Sequence, residues 1–296
     1  MTDLLELTDR YADNDGVKIH YMAGGSGPLI VFVHGFPDFW YTWRNQIEGL
    51  LATHSIAAID LRGFNLSDAP KGTENYAIQH IVNDVAAVID NEQHDSAVIV
   101  GHDWGGATAW AFAQTRPELT ERLIIVNVPH PAAMAAEMER PGNVQRAAFA
   151  YAGDYRKQGS ENTLDPTVLA NFLGRDDASR DRYVEAFERS DFEAMMNYYR
   201  QNPPGEARTA QPAVIDVPVL QFHGLDDPVL LADSLNSTWK HVAHTWTLIT
   251  IPNAGHWPHH DQPDFVTQTM SNWLAQPVPT LEAMHQPNSA AAGCCG

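Results

Sequence analysis

Five residues, Ser96-Ala97-Val98-Ile99-Val100, read as a buried strand and run straight into Gly101-His102-Asp103-Trp104-Gly105-Gly106, after which a helical stretch begins. No other segment constrains the fold as tightly. A strand that reaches a helix through so few residues, with glycines on both sides of an acid, needs a turn too close for larger neighbours. Such a turn lifts Asp103 above the sheet at a helix N-terminus, where backbone N–H groups and the helix dipole favour negative charge. By itself the acid also fits the ordinary role of a helix N-cap.

The same unit recurs along the chain. "GVKIHYMAG", "PLIVFVHG", "SIAAIDLRG", "SAVIVGHD", "ERLIIVNVP", "VPVLQFHG" and "TWTLITIP" read as strands. Between the third and fourth, Ile78, Ile81, Val82, Val85 and Ile89 recur at the spacing of one helix face. Strands alternating with helices imply an α/β class, a mainly parallel sheet covered by helices on both faces. Residues 1–130 and 209–275 form this core. From 131 to 208 the rhythm breaks into helical, aromatic-bearing segments such as "VQRAAFAYAGDYRKQ", "PTVLANFLG" and "DFEAMMNYYRQ", expected to form an all-helical lid. The Pro/Ala/Gly-rich stretch 276–296 is expected to be a flexible tail.

Charge narrows the partners. Lys and Arg number 18 against 37 Asp and Glu, a net charge of −19, which repels nucleic-acid phosphates and anionic lipid. Neither nucleic acid nor a membrane is expected as a partner, and a homodimer stays open. The two cysteines, Cys294 and Cys295, are adjacent in the tail, so no disulfide staples the body. The first residues are acidic where a secretory signal needs basic ones, and no run approaches the roughly 20 apolar residues of a membrane span. A cytoplasmic protein is the expectation.

Strand, Gly-x-Asp-x-Gly and helix have the form of a nucleophile elbow, here with Asp instead of Ser. An Asp carboxylate is ionised at neutral pH and needs no base to attack. Two further strands end in reactive residues: His223-Gly224 leads to Asp226 and Asp227, and "PNAG" leads to His256. The order acid, second acid, His follows the Ser…Asp/Glu…His order of elbow-type hydrolases. A metal site at His256, His259 and His260 lacks a carboxylate-rich partner motif, so neither metal nor cofactor is expected.

Across Val17 to Trp273, "HGFPDFWYTWR", "DLRGFNLSD", "GHDWGG", "MNYYRQNPP", "GLDDPVL" and "AGHW" give the chain its family likeness. It resembles an α/β-hydrolase of the epoxide hydrolase and dehalogenase branch. Asn65 stands where that family usually has Gly, and Asn tolerates the left-handed backbone region. The resemblance implies Asp103 as nucleophile, His256 as base and Asp227 as its acid partner, with Asp226 the second choice. It assigns the oxyanion hole to the Phe36 and Trp104 amides. It also implies two lid tyrosines: Tyr199, with Tyr198 beside it, and Tyr151 or else Tyr155. His34, Pro37, Tyr155 and Tyr198 are expected around the substrate.

An Asp elbow implies substitution at an sp³ carbon, because the resulting ester can be opened by water. A departing alkoxide needs an acid such as Tyr, whereas a halide needs only N–H donors. Haloalkane dehalogenases typically place Asn after His-Gly, where this chain has Phe36; haloacetate dehalogenases place Arg after the nucleophile, where it has Trp104. The expected reaction is therefore hydrolysis of a small apolar epoxide to a diol. A dehalogenase on the same triad, or a non-catalytic ligand-binding member of the fold, are the alternatives.

Overall fold

The computed structural model describes residues 7–203 and 214–278. The chain runs β1 (Thr8–Asn14), β2 (Val17–Gly25), β3 (Leu29–Val33), α1 (Arg44–Leu50), β4 (Ser55–Ile59), α2 (Ile78–Asn91), β5 (Ala97–His102), α3 (Trp104–Thr115) and β6 (Thr120–Val126). Then follow α4 (Pro131–Glu139), α5 (Gln145–Ala148), α6 (Ala150–Tyr155), α7 (Pro166–Leu173), α8 (Asp177–Arg189) and α9 (Phe192–Gln201). β7 (Val219–Gly224), β8 (Trp246–Ile251), α10 (Pro258–Asp261) and α11 (Pro263–Leu274) close the described part.

The strands form one sheet in the order β1-β2-β4-β3-β5-β6-β7-β8. The pairs β1/β2 and β2/β4 are antiparallel and the remaining pairs parallel. Every residue of β3, β5 and β7 is buried, as strands with helices on both faces must be. α2 turns Ile81, Val82, Val85, Val88 and Ile89 inward, close to the face its spacing predicts.

Two local features differ from the sequence reading. β1, "TDRYADN", was not legible: only Ala12 of its seven residues is buried, so the edge strand carries no apolar alternation to read. The stretch around Phe149 is not one helix, because Phe149, at φ −88° and ψ 4°, separates α5 from α6.

Between β6 and β7 the described residues are helical or irregular, with no strand. Several bonds from helices α4–α9 to the rest of the chain go to loops at the carboxyl ends of the parallel strands. Tyr198 Oη donates to Arg62 O at 3.0 Å after β4. Tyr183 Oη donates to Asp38 at 3.1 Å after β3, and Arg175 pairs with Asp261 at 2.7 Å after β8. Helices α4–α9 thus rest above the edge where open α/β sheets bind ligands. The end of the expected lid, 204–208, and all but 276–278 of the expected tail lie outside the described residues.

Candidate active site

Five strands deliver side chains to that edge. β5 ends in the tight turn, and Asp103 occupies it with φ 50° and ψ −121°. A non-glycine residue held there costs about 1–3 kcal/mol, a strain characteristic of functional turns. The glycines make the turn fit: a Cβ on Gly101 would strike the Gly105 backbone, and one on Gly105 would strike Val33 O. Gly35, at the end of β3, has no room for a side chain because the Asp103 carboxylate occupies it.

The next amide in that loop, Phe36 N, donates to Asp103 Oδ1 at 2.7 Å. Asp103 Oδ2 lies 3.6 Å from His256 Nε2. On its other side His256 Nδ1 meets Asp227 Oδ2 at 2.7 Å. Asp227 is buried and Asp226 is exposed, which separates the two candidates for the second acid. Asp227 Oδ1 also accepts from Val229 N at 2.7 Å and Leu230 N at 3.0 Å.

Electrostatics follow from this packing. Burial alone would lower the His256 imidazole, but Asp227 and Asp103 outweigh it and raise it to about 10. Burial would raise both carboxyls, yet His256 holds Asp103 below its ordinary value and brings Asp227 to about 2. A raised imidazole between two lowered carboxyls favours the carboxylate–imidazolium–carboxylate form.

Aromatic rings cluster beside the Asp103 turn. The Tyr199 ring stands 5.7 Å from Phe36, 5.0 Å from Trp104, 6.2 Å from Tyr151 and 5.1 Å from Tyr155. Burial raises all three tyrosine phenols; those of Tyr199 and Tyr151 also feel the Asp103 charge. Of the two early-lid tyrosines, Tyr151 is the one that feels this charge.

Two of the residues expected around the substrate serve elsewhere. His34 is fully buried; its Nδ1 bonds Gly35 O at 2.8 Å and its Nε2 accepts from Leu61 N at 2.9 Å, so neither nitrogen is free for substrate. Tyr198 commits its hydroxyl to Arg62 O and contributes only its ring, 5.8 Å from that of Trp104. Pro37 is buried. His259 and His260 turn their Nε2 atoms to Thr42 Oγ1, and no metal-ligating group of three or more exists among the described residues.

Sequence reasoning missed Asn127. From the end of β6, with φ 67°, its Nδ2 donates to Asp227 Oδ2 at 2.6 Å and to Gly255 O at 3.0 Å, while its Oδ1 accepts from Gly224 N at 2.9 Å. One amide therefore ties together the loops that carry Asp227 and His256. A polar residue closing an apolar strand at the reactive edge was the available signal. His102 was missed too: its Nε2 donates to His256 O at 2.7 Å, and burial lowers the ring to about 3, which keeps it neutral. Asp38 accepts from Tyr183 Oη and from Trp257 Nε1, each at 3.1 Å, linking α8 to the residue after His256.

Comparison with known proteins places this geometry. Residues 28–263 match the family model described as the alpha/beta hydrolase fold. The AB hydrolase superfamily protein YfhM of Bacillus subtilis is 34% identical over 90% of this chain and 97% of its own. Epoxide hydrolase 1 of Caenorhabditis elegans is 30% identical over 90% of this chain and 70% of its own. The crystal structure of the Bacillus megaterium epoxide hydrolase with an inhibitor superposes with a TM-score of 0.84, at 30% identity, over 90% of this chain and all of that one.

Proposed function

We propose, from the premise that this chain belongs to the α/β-hydrolase superfamily and to its epoxide hydrolase family, that it opens epoxides to vicinal diols through a covalent ester on Asp103. The observation that carries this reading is the unequal environment of the two Asp103 oxygens. Oδ1 is held by the Phe36 amide and Oδ2 is left to attack, under phenols that burial keeps protonated.

In the first half-reaction Oδ2 displaces the epoxide oxygen from one ring carbon, and Tyr199 or Tyr151 gives its proton to the departing alkoxide. The product is a hydroxyalkyl ester. Its formation cancels the Asp103 charge, one of the two that hold the imidazolium, so His256 can return a proton to the phenolate through solvent.

Neutral His256 then takes a proton from water as hydroxide adds to the ester carbonyl carbon. Oδ1 becomes the oxyanion beside the Phe36 N–H, with the Trp104 amide at the helix start as its second donor. Collapse expels the diol alkoxide, which takes the proton from His256. The new carboxylic acid passes its own proton to His256 and restores the resting charges. Helices α4–α9 act as the lid that carries the acids and excludes bulk water.

Styrene oxide and 1-bromobutane test the reaction class. The expected result is phenylethanediol from the first and no bromide from the second. Tyr199→Phe should lower diol formation by about 10²-fold or more, as loss of a general acid does. Bromide release untouched by Tyr199→Phe would overturn the reading in favour of a dehalogenase. One feature suits that second reading: Trp104 Nε1 is buried without a hydrogen-bond partner among the described residues.

The half-reactions should also respond differently to pH. Ester formation needs ionised Asp103 and a protonated phenol, which are held below and above their ordinary ranges, so its rate should be flat through neutral pH. Ester opening needs neutral His256, whose raised pKa falls once the Asp103 charge is gone. That rate should therefore climb with rising pH to a plateau reached below about 10, the resting value. Rapid-mixing traces across pH separate the two phases, and an opening rate that falls with rising pH would sink the assignment.

A further inference from the structure

Helix α5 touches the loop that carries Asp227 at a point the mechanism does not use. Gln145, its first residue, is fully buried. Its Nε2 donates to Val229 O at 2.6 Å and its Oε1 accepts from Leu231 N at 2.8 Å. Both partners belong to the loop that begins with Asp227. The carbonyl of Val229 and the N–H of Leu230 are the two ends of one peptide unit, and that N–H donates to Asp227 Oδ1.

A peptide unit is planar, so fixing its carbonyl end fixes the direction of its N–H. Gln145 and the Asp227 carboxylate thus grip opposite edges of the same plate. Leu231 N pins the following peptide in the same way. Apolar packing seats the loop from the same side: Met134, Met138 and Leu230 form a cluster against which Val229 and Phe149 pack. Phe149 joins α5 to α6, which carries Tyr151.

We propose that Gln145 is a positioning residue for the triad acid, coupling the helices that carry Tyr151 to the loop that aims the Asp227 carboxylate at His256. Through this one amide, the seating of α5 and the orientation of Asp227 become a single variable. The consequence for catalysis rests on the reading above, in which Asp227 serves ester opening through His256 while ester formation needs only Asp103 and the phenols. Loss of Gln145 should therefore fall on the second half-reaction. A glutamine that only satisfied buried backbone groups would affect stability and leave the two half-reactions in their original ratio.

Gln145→Leu removes both bonds at similar volume, and Gln145→Glu keeps the acceptor for Leu231 N while losing the donor to Val229 O. Rapid mixing with styrene oxide should show ester formation within about twofold of the parent and ester opening slowed at least about tenfold in Gln145→Leu, the scale of a displaced catalytic group. Gln145→Glu should fall between, and it carries the test if the leucine variant does not fold.

Proton NMR of the resting protein gives a readout independent of the ester. The low-field resonance of the His256 Nδ1–H held by Asp227 should shift upfield in Gln145→Leu. An unmoved resonance with both half-reactions intact, or a uniform slowing of both, would overturn the proposal. If the parent protein forms no ester at all, the chemical reading fails, and the NMR resonance still decides whether Gln145 orients Asp227.

Discussion

Asp103→Ala is expected to abolish diol formation, by at least about 10⁴-fold in kcat, because no other ionised oxygen stands in the place of Oδ2. The fold should survive the change. The Asp103 side chain caps no helix N–H, and its backbone already occupies an unfavourable conformation whichever small side chain it carries. His256 would keep its shorter contact, 2.7 Å to Asp227, and lose only the 3.6 Å one to Asp103. The measurement is product formation from styrene oxide, with circular dichroism and a thermal melt as the check on folding. Residual activity above about one part in a thousand would mean that water is activated directly against the epoxide, and that Asp103 is not the nucleophile.

The second large effect separates the two half-reactions. In His256→Gln no group remains to take a proton from water, so turnover should fall by about 10²–10⁴-fold, the span of general-base catalysis. Ester formation needs no base and should continue. Intact-mass measurement after brief exposure to substrate should show one substrate mass added per chain, and peptide mapping should place it on Asp103. A variant that loses turnover without gaining mass would mean that His256 is needed to form the ester as well as to open it. One that keeps full turnover would remove His256 from the chemistry altogether.

The parts of this site that were legible in sequence are those dictated locally. The elbow could be read because the glycines around Asp103 answer to backbone clashes within a few residues. Phe36 was legible for a related reason: it follows a five-residue apolar strand that can only end at the reactive edge. Asp227 and Asp226 are adjacent and chemically identical, and resemblance alone favoured Asp227. What separates them is burial against Asn127 and His256, residues 100 and 29 positions away.

Tyr151 and Tyr155 posed the same problem one helical turn apart, and the charge of Asp103 reaches Tyr151 only through the folded packing. Asn127 and Gln145 left almost no trace, because their bonds reach residues 84 to 128 positions away. Side-chain amides that hold loops have no periodicity, and propensity says nothing of their partners. His34 misled for the opposite reason: it sits in a conspicuous motif, yet both its nitrogens are spent on bracing the loop.

The route of the chain into and out of its helical excursion has a separate consequence. β6 and β7 are hydrogen-bonded neighbours, Leu123 against Val219 through Val126 against Phe222. Because the two run parallel, the excursion leaves the sheet at the carboxyl end of β6 and the chain re-enters it at the amino end of β7, on the opposite edge. The β6/β7 pairing itself uses none of the helices between them, so the upper storey can be exchanged while Asp103 and His256 keep their foundation. Grafting in a foreign storey would carry one condition. It must bring its own hand for the Val229–Leu230 peptide, or the transplanted enzyme would be expected to load its substrate and then stall.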